Sequence, residues 1–123
     1  MHELGIAFYI IDDVENVAKE NGIDHVEGVT VAVGKVSGVI PRFLKDLWPY
    51  ACDEHPVVKG STLKCEMIDA VTYCENCGKT YDTIKYKKVC PYCNSERTYL
   101  QTGDQVVIKE IEVADSDETE SDE

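Results

Sequence analysis

The stretch CENCGKTYDTIKYKKVCPYC (Cys74–Cys93) decides how this chain must fold. It holds two Cys-x2-Cys pairs, Cys74/Cys77 and Cys90/Cys93, separated by twelve residues. Two residues between thiolates let one tight turn present both sulfurs to one ion, and two such turns complete a tetrahedron. Gly78 and Asn94 each follow a second cysteine, where the turn bends back and a left-handed backbone suits Gly or Asn. The intervening TYDTIKYKKV reads as a short hairpin between the two turns. Four sulfurs leave no open position, so the expected site is structural and zinc is the default ion. An iron centre or a redox dithiol pair is the lesser alternative. Lys79, Lys85, Lys87 and Lys88 make the segment locally basic, which favours thiolates.

Outward from the cysteines, the segments on either side read as strands. STLKCEM places Leu63, Cys65 and Met67 on one face and Lys64 and Glu66 on the other, and QVVIKEIEV (Gln105–Val113) alternates too. These two flanks, roughly 61–69 and 104–113, are expected to lie side by side. Upstream, Ala7, Ile10, Ile11, Val14, Val17 and Ala18 recur at helical spacing over residues 4–20, and Asn21-Gly22 is a stop signal. VTVAV (Val29–Val33) reads as a strand, Gly34 as a bulge and Ser37-Gly38 as a turn. Pro41 suits a first helical position, and RFLKDLW puts Phe43, Leu44, Leu47 and Trp48 on one face. Pro49 is expected to end or kink that helix, because it has no N–H and clashes with the preceding turn.

The expected fold is therefore α+β: two helices packed on a small mixed three-stranded sheet, with an inserted zinc-ribbon-like module. Residues 1–69 plus 104–113 form the body, 70–103 the four-cysteine module, and 114–123 a disordered acidic tail. The tail carries six of the twelve net negative charges and no base. A net charge of −12 argues against nucleic-acid and anionic-membrane partners. No apolar run approaches the ~20 residues of a membrane span. The first helix brings Asp12, Asp13 and Glu15 too early for a secretory signal. A cytoplasmic protein is expected, in which six cysteines point to metal or redox chemistry rather than disulfides. Cys65 reads as a small core residue. Cys52, in CDEH (Cys52–His55), resembles a ligand set but lacks a second half.

The opening Met1-His2-Glu3 tethers an α-amine, an amide nitrogen and an imidazole within one residue of each other. An ion held by the amine and then by deprotonated amides forms fused chelate rings, and the imidazole closes one side of a plane. Planar nitrogen ligation suits Ni(II) or Cu(II) and suits Zn(II) poorly. The competing reading is a frayed terminus whose Glu3 helps the first helical turn through the helix dipole.

Taken in order, MHELGIA opening a helix, VTVAVGKVSGVIP, and the four-cysteine module followed by GDQVVIKEIEV resemble the HypA/HybF family of hydrogenase maturation factors. The resemblance runs from Met1 to about Val113. It implies a nickel metallochaperone, not an enzyme. His2 would be the essential nickel ligand, with help from the backbone of Met1, His2 and Glu3. Cys74, Cys77, Cys90 and Cys93 would hold structural zinc. Implied partners are a HypB-type GTPase and the large subunit of a [NiFe]-hydrogenase; some members also serve urease maturation, and some form homodimers. His25 and His55 match no family ligand, and Pro49 falls where relatives continue the second helix. The cysteine spacing alone also permits a zinc-ribbon nucleic-acid-binding or transcription-factor module, which the charge opposes. A metal-dependent hydrolase is opposed by the closed four-thiolate set.

Overall fold

A computed structural model describes residues 3–113. The order of elements is α1 (Glu3–Glu20), β1 (Val26–Gly34), α2 (Pro41–Cys52), β2 (Thr62–Ile68), β3 (Val71–Cys74), β4 (Thr80–Asp82), α3 (Thr83–Tyr86), β5 (Thr98–Thr102) and β6 (Val106–Val113). They form two three-stranded sheets, ordered β2-β1-β6 and β4-β3-β5. The chain divides into two compact units. Among the described residues, one takes 3–31, Ile40–Cys65 and 108–113; the other takes Ala32–Val39 and Glu66–Val107.

In the first unit α1 packs against α2. The three- and four-residue spacing of Ala7, Ile10, Ile11, Val14 and Ala18 puts all five on one buried stripe. Leu44 and Trp48 answer from α2, both fully buried. Each buried Ile, Val or Leu here contributes roughly 1.5–3 kcal/mol of burial. The Trp48 indole N–H is satisfied by Ser61 Oγ at 2.9 Å. α1 ends at Asn21-Gly22 as its sequence signals: Gly22 is left-handed at φ +68°, and Ile23 N–H returns to the Ala18 carbonyl at 2.8 Å.

Four readings of the sequence are corrected. First, the flanking strands β2 and β6 are not neighbours, because β1 stands between them. The central position explains why β1 is buried at every residue from Gly28 to Gly34 rather than alternately. Second, Pro49 does not end α2, which runs on to Cys52. Ala51 and Cys52 are buried beyond the proline, and their burial offsets the one lost hydrogen bond. Third, the segment between the cysteine pairs is no hairpin. β4 pairs with β3 instead, Tyr73 opposite Thr80, and the chain then makes the short helix α3, where Asp82 Oδ1 caps by accepting the Ile84 N–H at 3.0 Å. Fourth, of the apolar face of β2 only Leu63 is buried; Cys65 is half-buried and Met67 exposed.

In the second unit the backbones approach unusually closely. A Cβ on Gly34 would sit 2.0 Å from the Gly103 carbonyl oxygen, and one on Gly103 would sit 2.4 Å from Ala70 Cα. Gly34 therefore marks a close backbone approach, held by Gly34 N–H to the Gln105 carbonyl at 2.8 Å.

Candidate metal centre

Each half of the four-cysteine centre repeats one backbone pattern. Cys74 N–H donates to the Lys79 carbonyl at 2.9 Å while its own carbonyl accepts Gly78 N–H at 2.9 Å. Cys90 N–H donates to the Ser95 carbonyl at 3.0 Å while its carbonyl accepts Asn94 N–H at 2.8 Å. Such a turn must pass through a left-handed residue after the second cysteine, and there stand Gly78 (φ +78°) and Asn94 (φ +67°). The first turn hangs from the end of β3. β5 holds the second from the other side: Cys74 lies opposite Thr98, and Thr98 Oγ1 donates to the Lys88 carbonyl at 2.9 Å.

These turns bring four sulfurs together. All four lie within 4.8 Å of one another, with Cys74–Cys93 at 3.6 Å and Cys77–Cys90 at 3.7 Å. Tetrahedral ligation at a Zn–S distance of about 2.3 Å requires sulfurs about 3.8 Å apart. The spacing fits one tetrahedral ion and is far too long for a disulfide. Cys74 and Cys90 are fully buried, packed with Tyr81, and Cys77 and Cys93 close the outer side. The Tyr81 hydroxyl donates to the Lys87 carbonyl at 2.8 Å, so this buried ring leaves no orphaned donor of its own.

The two outer cysteines differ in their surroundings. Asn76 Nδ2 donates to Cys93 Sγ at 3.3 Å; with the backbone at Ser95 this draws the Cys93 thiol down to about 6. At Cys77 the Lys79 backbone favours the thiolate, but burial and hydrogen bonds to Cys90, Cys74 and Cys93 outweigh it and hold the thiol up at about 11.

Among the described residues this is the one group of three or more His, Cys, Asp and Glu side chains with converging ligand atoms. CDEH does not form a second. Cys52 is buried at the end of α2, 3.9 Å from Ser61 Oγ. His55 turns away to Glu15, Nδ1 to Oε2 2.9 Å. His25 Nε2 pairs with the Lys59 carbonyl at 2.9 Å.

Met1 and His2 lie outside the described residues. Glu3 is described, and its carboxylate accepts the Ile40 backbone N–H at 3.1 Å. Ile40 is the N-cap of α2, with extended backbone and no capping side chain of its own. Glu3 supplies from another helix the carboxylate-to-cap contact that a capping box supplies locally. The sequence held one clue to it, an Ile-Pro start where Ser, Thr, Asp or Asn would be usual.

The chain compares as follows with known proteins. The family described as "Hydrogenase/urease nickel incorporation, metallochaperone, hypA" matches residues 1–113. Hydrogenase maturation factor HypA of Chlorobaculum parvum is 34% identical over 113 residues, 92% of this chain and 99% of that one. Hydrogenase maturation factor HybF of Salmonella typhimurium is 27% identical over the same shares. The solution structure of the Ni metallochaperone HypA from Helicobacter pylori superposes with a TM-score of 0.74 at 22% identity, covering 92% of this chain and 97% of that one. The match spans both sheets, which a zinc-ribbon nucleic-acid module would not require, and the chain belongs to the HypA family of hydrogenase-maturation nickel metallochaperones.

Proposed function

We infer that this chain carries Ni(II) as cargo at its N-terminus and hands it to the large subunit of a [NiFe]-hydrogenase. The observation that carries the reading is the family match, which begins at Met1-His2-Glu3. The α-amine of Met1, the amides of His2 and Glu3 and the His2 imidazole supply a nitrogen-rich, planar donor set suited to Ni(II). Those amides bind only when deprotonated, so acid favours release. No catalytic step is needed; the ion leaves by ligand exchange when a docked partner offers better donors. A HypB-type GTPase and urease maturation proteins are further partners in this reading, and the cytoplasm is where they would meet.

Zinc is the metal proposed for Cys74, Cys77, Cys90 and Cys93. The sulfur spacing and the closed, half-buried site support it. When bound, zinc fixes the fold of residues 70–103. Residues 1–69 with 104–113 are the part proposed to handle nickel. Transfer is the test: intact chain loaded with radioactive nickel is mixed with metal-free hydrogenase large subunit and separated by size. Nickel is expected in the large-subunit fraction from the intact chain, and not from His2→Ala. Equal transfer from both would contradict the reading.

A further inference from the structure

The second unit carries a groove of about 510 Å³ that the metal centre does not use. Thr72 of β3 and Leu100 of β5, opposed in register, form its floor. Ile84 of α3 and Val36 add apolar lining, and Lys87, whose Nζ donates to the Ile84 carbonyl at 3.1 Å, and Lys88 line it with charge. Ile84 is 48% exposed and Val36 39%, although neither belongs to a metal ligand turn. Thr72, only 3% exposed, is already satisfied by Thr83 Oγ1 at 2.6 Å. The floor therefore offers chiefly apolar surface, which needs an apolar occupant.

The segment that supplies Lys87 and Lys88 reverses the charge of the rest of the chain. Between Lys79 and Arg97 stand five of the twelve bases and only two carboxylates, Asp82 and Glu96, in a protein of net charge −12. Asp82 is engaged in capping α3. Lys87 sits at φ +61° and ψ −127°, a conformation that side chains rarely adopt. Its backbone is held there by bonds to the Thr83 carbonyl at 2.7 Å and from the Tyr81 hydroxyl at 2.8 Å. A strained lysine maintained in the lining of an apolar groove points to use rather than accident.

We propose that this groove docks a partner protein's acidic segment, one or two large apolar side chains entering between Ile84 and Leu100 and flanking carboxylates meeting Lys87 and Lys88. Charge complementarity sets the sign of the partner, and the apolar lining sets its anchor. The chain's own tail does not fit: beyond Ala114 it offers only Asp, Glu, Ser and Thr. The site does not depend on nickel binding at the N-terminus.

The test is a phage-displayed library of random dodecapeptides, panned on the full metal-loaded chain. Enriched peptides are expected to combine Leu, Ile, Phe or Trp with Asp or Glu. The best synthetic peptide should bind at least tenfold more weakly to Ile84→Ser and to Lys88→Gln, and more weakly at high salt. Replacing its acids by lysines should abolish binding to the natural chain and restore it to Lys88→Glu. Should Ile84→Ser lose its metal, the two Lys88 variants decide alone. Failure of any peptide to enrich, enrichment of acid-free peptides, or undiminished binding to the variants overturns the proposal. So does sedimentation showing that the groove is covered by a second copy of the chain.

Discussion

The Glu3 carboxylate accepts the Ile40 backbone N–H at 3.1 Å, so the first residue of α1 closes the N-terminus of α2. Glu3 thereby ties the start of α1 to the start of α2, and in sequence it directly follows the proposed nickel ligand His2. Glu3→Ala should lower stability by about 0.5–1 kcal/mol, the low end for a hydrogen bond at an exposed site. Glu3→Gln keeps an acceptor oxygen and should lose less. Thermal denaturation of the metal-loaded chains checks this; an alanine variant that melts with the natural chain would show that the contact carries no stability.

Cys74→Ser should release the proposed zinc and unfold its surroundings, because metal binding at a structural site contributes folding free energy. Metal content by mass spectrometry should fall from one equivalent to near zero, and amide exchange should accelerate at Thr72–Cys74. Retention of a full equivalent would show that the ligand set is wrong.

Gly34→Ala and Gly103→Ala should each destabilise by about 2 kcal/mol or more, since the new Cβ would overlap backbone atoms that no side-chain motion can clear. The two losses should not add, because the residues touch one another. Gly60→Ala, left-handed at φ +81° but in open space, should cost only about 1–2 kcal/mol of local strain. Equal losses at all three sites would argue against the close approach.

Much of the fold was legible because it rests on local chemistry. The cysteine turns, with Gly78 and Asn94 behind them, follow from spacing alone; so do the Asn21-Gly22 stop and Pro41 at the start of α2. What escaped depends on partners distant in sequence. Thr98–Thr102 has no residue buried outright, so β5 shows no alternation and is defined by its pairing with β3. The insertion of β1 between β2 and β6 is likewise a pairing that neither flank encodes. Pro49 obeys its local rule less than the burial of Ala51 and Cys52. At the site, the cysteines could be read, whereas the Glu3–Ile40 contact spans 37 positions and left only the uncapped Ile40-Pro41 as a trace.

Burial pushes the Cys52 thiol up to about 11 from its ordinary 9.0, and the Ser61 contact offsets only part of this. The folded chain therefore keeps this proton to higher pH than the unfolded chain does. The stability it contributes is complete below about pH 9 and is lost as pH rises toward 11. Melting temperatures between pH 8 and 11 should fall less steeply for Cys52→Ala than for the natural chain. Parallel curves would show that Cys52 does not titrate across this window.

The proposed nickel site consists of the N-terminal amine, the amides and the His2 imidazole. Nickel titration followed by calorimetry, on the intact chain, on His2→Ala and on a chain extended ahead of Met1, tests it most directly. The predicted result is one tight nickel site in the intact chain, lost in both altered forms while each keeps its full equivalent of zinc. Unchanged nickel binding in both altered chains would contradict it.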